Sequence, residues 1–123
     1  GVEGYNLLMQ HGEEDLAFVC ASHVLFGLDA KEAAQAGLPA RDFIPRTIEE
    51  QLVPLMDFVI EFDQPTTLRR RFASIHKRYA EDSDFLVKLD RAQSKAELFM
   101  KQLESTLGES IETLLTNNWH HPV

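Results

Sequence analysis

The chain has 123 residues, enough for one hydrophobic core and too few for two domains of ordinary size. Its formal net charge of −8 repels phosphate backbones, so we expect no nucleic-acid binding by this domain alone. A membrane-spanning helix is excluded by the lack of an apolar run of about 18 residues. The single cysteine, Cys20, excludes an internal disulfide and a Cys-based zinc site, and it fits a reducing cytoplasm.

Helical periodicity runs through almost the whole chain, and no stretch alternates apolar and polar residues for long enough to form a sheet. Apolar residues at positions 7–9 predict a short first helix that ends near Gly12. Glu13 and Glu14 follow, and carboxylates at this point suit the positive end of a second helix dipole. The N-terminal region is therefore predicted to form two short helices.

Two capping boxes predict where further helices begin, because an acceptor side chain followed three residues later by Glu satisfies two free backbone N–H groups. Asp29 and Glu32 form the first box, and Thr47 and Glu50 form the second. Residues 38–45 contain two prolines between these boxes and are predicted to form a loop.

Two prolines affect the helices that follow. Pro54 lies inside the apolar pattern of residues 46–62. An interior proline costs a helix about 3 kcal/mol, so we expect either a kink at Pro54 or a helix that effectively begins at Val53. Pro65 follows a short turn and suits the first turn of the next helix, over about residues 65–79. The residues that define one apolar face of this helix are Leu68, Phe72, Ile75 and Tyr79.

The longest helix is predicted over about residues 82–107, from a cap at Asp82 to a stop at Gly108. Its apolar stripe serves either the core or a homodimer seam, and the core is preferred because so short a chain has few other long helices to close it. A last helix follows over about residues 109–119, and the tail from His120 to Pro122 is expected to fray. The stripe comprises Phe85, Leu89, Ala92, Ala96, Phe99 and Leu103.

Motifs for known chemistry are absent from the sequence. It contains no Gly-rich phosphate loop, nucleophile elbow or zinc-protease motif, and its five histidines lack metal-ligand spacing, so we predict no enzymatic activity. A helix-turn-helix drawn through residues 33–43 would place Pro45 in its recognition helix, which argues against that motif. The basic residues at 69–71 and 77–78 are predicted to form a solvated helix face.

The region from Leu52 to Tyr79 contains a helix with paired apolar positions, a turn at Asp63-Gln64-Pro65 and a second helix with apolar residues every three or four positions. This arrangement resembles the globin superfamily, and bacterial globins in particular. The long helix, its stop at Gly108 and Trp119 are similar to the last two globin helices. The resemblance implies an all-α, globin-like bundle of six to seven helices, in a single domain over residues 1–123, that binds haem and a gas, redox or other small-molecule ligand.

The axial haem ligand implied by this resemblance depends on the alignment. Aligned through Asp63, His76 takes the proximal position, and Phe26 takes the position of the phenylalanine that stacks on haem. Aligned through Pro65, Tyr79 becomes proximal. We choose His76 as the metal ligand, because neutral imidazole binds iron in both redox states. The further residues that the resemblance places in contact with the cofactor are Phe43, Gln51 and Phe72.

A second similarity lies in the long helix. The pattern Tyr79-x-x-Asp82-x-x-Phe85-x-x-x-Leu89-Asp90-x-Ala92, followed by Phe99-Met100-Lys101, resembles the thiopeptide-antibiotic-binding domains of some transcription regulators, which are globin-like and lack haem. Two alternatives to haem binding stay open. The second similarity favours a haem-free globin-like sensor or ligand-binding domain. The acidic surface and the regular stripe on the long helix favour an unrelated helical bundle that acts as a module for protein–protein interaction.

Overall fold

The computed structural model describes residues 1–120, which form seven α-helices and one two-stranded antiparallel hairpin. The all-α prediction is thereby confirmed, and the three longest helices, α4, α5 and α6, lie where long helices were expected. None of these helices has both the length and the apolar content needed to cross a bilayer. Most of the tail that was expected to fray lies outside the described residues. The helices are α1 (Val2–Gln10), α2 (Glu14–Ser22), α3 (Ala30–Gln35), α4 (Ile48–Phe58), α5 (Leu68–Arg78), α6 (Ser83–Leu107) and α7 (Ile111–Asn118), and the strands are β1 (Ile60–Glu61) and β2 (Gln64–Pro65).

Two compact units divide the chain inside α4: unit 1 is Gly1–Pro54 and unit 2 is Leu55–Val123. The prediction of one domain over the whole chain stays a prediction, because compact units of this size also occur as lobes of one domain.

An aromatic cluster forms the core of unit 1. Phe43 is fully buried, with the ring of Tyr5 edge-on at 5.4 Å and the ring of Phe18 at 5.9 Å. The backbone of Phe43 pairs with that of Leu28 through two hydrogen bonds of 2.8 and 2.9 Å, which hold the loop before α4 against the helices. The apolar residues of the loop therefore complete a core that the short helices α1 to α3 could not close alone.

The packing of α1 against α2 depends on a glycine. A Cβ atom added at Gly4 would lie 2.6 Å from the Sγ of Cys20, closer than real Cβ contacts come. Gly4 thus permits a close approach of the two helices, and Cys20 serves as a small half-buried apolar residue in their contact.

The predicted helix caps are confirmed. At α3, the Glu32 amide donates to the Asp29 carboxylate at 2.8 Å and the Asp29 amide donates to the Glu32 carboxylate at 3.0 Å. Thr47 and Glu50 exchange the corresponding bonds at 3.1 and 3.3 Å. The Phe85 amide donates to Asp82 at the start of α6. These local bonds fix the helix starts that the sequence predicts.

The core of unit 2 lies along the apolar faces of α5 and α6. Phe72 is buried, and its ring stacks on that of Phe58 at 4.5 Å. Of the stripe on α6, four residues are buried within the single chain, namely Leu89, Ala92, Ala96 and Phe99. These four residues are therefore core, as preferred, whereas Phe85 and Leu103 are half-buried and a homodimer stays a prediction.

The structure corrects the prediction at Pro65. Instead of opening α5, Pro65 lies in β2 opposite Ile60, where the lack of an N–H suits an edge strand. Helix α5 begins at Leu68, because Thr67 caps it by accepting a hydrogen bond from the Arg70 amide at 3.1 Å. Pro54, by contrast, does lie inside α4, where it is fully buried.

Candidate functional site

The six residues predicted to line a haem site are divided between the two units. Within unit 2, the Nε2 atom of His76 lies 2.6 Å from a carboxylate oxygen of Asp90. The ring of Tyr79 packs on that of Phe85 at 4.5 Å and is 41% exposed, while Phe72 belongs to the core. The imidazole nitrogen that would bind iron is thus already engaged by a carboxylate.

The predicted haem-contacting residues that lie in unit 1 also have partners within the fold. Phe43 is the centre of the aromatic cluster, and Phe26 is buried in the 3₁₀ turn that follows α2, with a positive φ of 60°. The side-chain amide of Gln51 donates to the Thr47 carbonyl at 3.1 Å, one turn back in α4. Among residues 1–120, no group of three or more His, Cys, Asp or Glu side chains could hold a metal ion.

A strongly basic surface lies on α5. This helix carries five of the twelve Lys and Arg residues of the chain and no Asp or Glu. Arg71 donates to the Glu61 carboxylate at 3.0 Å, whereas the other four form no ion pair with any residue in the described part of the chain. These four exposed residues, which we call the α5 basic surface, are Arg69, Arg70, Lys77 and Arg78. By the 3.6-residue period, Arg70 and Lys77 lie opposite the buried face of α5, whereas Arg69 and Arg78 lie at its two flanks.

The hairpin of β1 and β2 carries an exposed aromatic residue at its tip. Phe62 is 83% exposed, and both Phe62 and Asp63 have positive φ, at 51° and 61°. The helix predicted over residues 46–62 included Phe62 in its apolar pattern, whereas α4 ends at Phe58 and leaves Phe62 exposed. The only signal in the sequence was the Asp63-Gln64-Pro65 turn, which was placed one residue too late.

A groove of about 520 Å³ lies in unit 2, between the start of α5 and the helices α6 and α7. Arg69 and Lys101 line it together with three carboxylates. Two of these carboxylates hold helix starts: Glu112 accepts from the Leu68 amide at 2.7 Å, and Glu104 accepts from the Ile111 amide at 2.8 Å. Two of the three carboxylates of the groove are therefore engaged by backbone amides, and we assign the candidate site to the α5 basic surface.

Unit 1 has a smaller cavity of about 420 Å³, and the two arginines that line it both contact side chains of unit 1. The guanidinium of Arg46 lies 3.9 Å above the Phe18 ring and also pairs with Glu50 at 3.0 Å. Arg41 lies over Phe43 at 4.7 Å and donates to the Tyr5 hydroxyl. The hydrogen bond from Arg46 lowers the pKa of Glu50 below its ordinary value, although partial burial opposes the shift.

Comparison with known proteins gives three relatives. No family model and no solved structure matches the chain. An uncharacterized protein of Methanocaldococcus jannaschii is 38% identical over 61 residues, which are 49% of this chain and 36% of that protein. The tRNA (cytidine(56)-2'-O)-methyltransferase of Thermoplasma volcanium is 29% identical over 67% of this chain, and that of Picrophilus torridus is 25% identical over 71%. These matches cover 25% and 26% of the two methyltransferases, so the chain spans about a quarter of their length.

These relatives correct the function predicted from the sequence. Two of these relatives are tRNA methyltransferases. The prediction of a haem-binding protein that binds or senses a gas or redox ligand is therefore wrong, and so are the two alternatives given with it. Haem as cofactor is wrong for the same reason and because the described residues offer no metal-binding group. The expectation of no enzymatic role is also wrong. The resemblance to globins and the six binding residues stay predictions.

Proposed function

We propose that this chain is part of a cytoplasmic RNA-modifying enzyme that acts on tRNA, and that the α5 basic surface faces the RNA backbone. The observation that carries the proposal is the similarity to two tRNA (cytidine(56)-2'-O)-methyltransferases, over 67% and 71% of the chain. The reaction class that follows from this similarity is methylation of a ribose 2'-hydroxyl.

The distribution of charge supports a role in contacting RNA within a larger assembly. Unit 1 carries three basic and nine acidic side chains, whereas unit 2 carries nine and eleven. The cations of unit 2 are concentrated on α5, where phosphate contacts would release counterions. The net charge of −8 still opposes binding by this domain in isolation. We therefore expect the α5 basic surface to add to RNA contacts that the rest of an enzyme supplies.

Deleting the gene in its host and mapping ribose methylation across the tRNAs tests the proposed reaction. We expect one methylated ribose, at a cytidine, to disappear and to return when the gene is restored. This experiment uses the protein as its gene encodes it. Identical methylation maps in the deleted and parental strains would contradict the proposal.

The proposed role of α5 is tested by measuring tRNA affinity as a function of salt for the protein as its gene encodes it. Lys77→Gln should reduce the slope of log affinity against log salt by about 1, since one phosphate contact is lost. Lys31→Gln is the matched control, because Lys31 is also an exposed lysine on a helix but lies in unit 1. Equal slopes for the two variants would rule out the α5 basic surface as the RNA contact.

A further inference from the structure

Phe62 combines exposure with an unfavourable backbone conformation. Its ring is 83% exposed, more than any other large hydrophobic side chain in residues 1–120. Its φ of 51° lies in the left-handed region, which disfavours residues with a bulky side chain. Two-residue hairpin turns of this kind favour Asn, Asp and Gly, which tolerate positive φ. A phenylalanine at this position therefore raises the free energy of the folded chain through its backbone conformation, and its exposed ring recovers little of that cost by burial.

The hairpin that carries Phe62 is held in place. The Thr66 amide donates to the Val59 carbonyl at 2.8 Å and closes the base of the hairpin, while α7 packs against β2. On the other side, Glu61 accepts a hydrogen bond from Arg71 at 3.0 Å, and both side chains are only 19% exposed. This ion pair fixes the residue next to Phe62 against α5. The hairpin that carries the exposed ring is thus anchored to α5 and α7.

The Glu61–Arg71 pair also sets the chemical surroundings of the ring. Arg71 is flanked on α5 by Arg70, a member of the α5 basic surface. Phe62 follows Glu61 in the chain and Arg70 precedes Arg71, so an exposed aromatic residue and a cation without an ion-pair partner each adjoin one member of this ion pair. Stacking of an aromatic ring on a base, with cations on the neighbouring phosphates, is how proteins bind single-stranded nucleic acid without reading its sequence.

We propose that Phe62 is a stacking platform for an unpaired base of the RNA substrate, with the phosphates beside that base held by the α5 basic surface. This inference rests on the proposed function and adds the part of the RNA that is bound, namely a loop rather than a stem. Bases in a stem are already stacked, whereas loop bases turn outward and stack on aromatic side chains. The positive charge of α5 selects a polyanion over an apolar protein surface as the occupant.

The experiment measures the affinity of the protein, as its gene encodes it, for a tRNA transcript and for an RNA duplex without a loop. Phe62→Ala should weaken binding of the tRNA about 5- to 150-fold, in line with the loss of one stacked base. Binding of the duplex should not change. Because stacking is not an ionic contact, the salt slope should stay the same, in contrast to Lys77→Gln.

Further variants distinguish base stacking from a simple apolar contact. Phe62→Tyr keeps the ring and should retain the affinity, whereas Phe62→Leu keeps an exposed apolar side chain without a ring and should lose it. Phe62→Asn should raise the midpoint of thermal unfolding by about 2–5 °C, because asparagine tolerates positive φ, while it lowers the affinity for tRNA. Val87→Ala, at another exposed apolar residue of unit 2, should leave the affinity unchanged.

Equal tRNA affinity of Phe62→Ala and the wild-type protein would overturn the stacking proposal and leave the proposed function intact. Full affinity in Phe62→Leu would also overturn it, because an apolar contact would then suffice. If the wild-type protein binds no tRNA and the methylation maps are unchanged by gene deletion, the proposed function and the stacking proposal fail together.

Discussion

Both arginines of unit 1 lie over aromatic rings, Arg46 over Phe18 at 3.9 Å and Arg41 over Phe43 at 4.7 Å. In unit 2, by contrast, the α5 basic surface has no ion-pair partner among residues 1–120. Unit 1 also has the larger excess of acidic over basic side chains. The two arginines of unit 1 thus contribute to its internal structure, whereas the four residues of the α5 basic surface are not engaged in this way.

This difference shows that net charge alone does not tell how the cations of a chain are distributed. A chain with a net charge of −8 was expected to avoid nucleic acid, yet its cations are not spread evenly. Five of them occupy three turns of one helix that has no acidic residue. Over distances beyond about 10 Å salt screens the remaining charges, so a local cluster acts largely on its own. Whether a charged residue can attract an ion or a polyanion therefore depends more on its partners in the fold than on the total charge of the chain.

The largest expected loss of stability comes from truncating the core of unit 1. Phe43→Ala removes a fully buried ring that contacts Tyr5 and Phe18, so we expect a loss of about 3–5 kcal/mol in the free energy of unfolding. Urea unfolding followed by circular dichroism measures it. Phe62→Ala is the control, because the same truncation at an exposed site should cost no stability. A loss below about 1 kcal/mol for Phe43→Ala would show that the aromatic cluster is not the core of unit 1.

A smaller loss is expected at the contact of α1 with α2. Gly4→Ala places a methyl group 2.6 Å from the Cys20 Sγ, and overpacking of this kind costs about 1–3 kcal/mol. The double variant Gly4→Ala, Cys20→Ala should recover much of that loss, because the sulfur is gone. Asn6→Ala, at an exposed site on α1, is the control and should be neutral or slightly stabilising. Additive effects of the two substitutions would contradict a direct contact.

In unit 2, we expect a loss of stability when the N-terminal cap of α5 is removed. Thr67→Ala leaves the Arg70 amide without its acceptor and should lower the free energy of unfolding by about 1 kcal/mol. Thr67→Ser keeps the hydroxyl and should retain most of the stability. If serine and alanine destabilise the protein equally, the hydroxyl is not the group that holds the start of α5.

The smallest effect is a pH-dependent one at the Arg46–Glu50 pair in unit 1. The hydrogen bond from Arg46 lowers the pKa of Glu50 in the folded chain. The pair therefore stabilises the fold fully when the pH is above the pKa of Glu50 in the unfolded chain, about 4.3. This stabilisation is lost as the pH falls through the lower pKa that Glu50 has in the folded chain. Glu50→Gln should therefore lower the thermal midpoint slightly at pH 7 and not at about pH 2. An equal difference at both pH values would show that the ionised carboxylate contributes nothing.

The fold class and the starts of several helices were predictable because they depend on neighbours in the chain. The caps at Asp29, Thr47 and Asp82 join residues three positions apart, so the acceptor and the backbone amide are both visible in the sequence. The stop at Gly108 likewise needs only a residue that tolerates the left-handed region, and its φ is 73°. Helical periodicity alone was enough to predict the three longest helices.

Contacts between distant residues decided the rest. The sequence led to His76 as an iron ligand, but only the packing of α5 on α6 brings Asp90, 14 residues away, to its Nε2 atom. The hairpin at residues 60–65 was missed because Phe62 and Asp63 are not a turn pair that favours positive φ strongly; Glu61 and Arg71 hold it from outside. Hydrogen bonds between residues a few positions apart can be predicted from the sequence. The partner of an exposed or charged side chain cannot, because it depends on which helix surfaces meet in the tertiary structure.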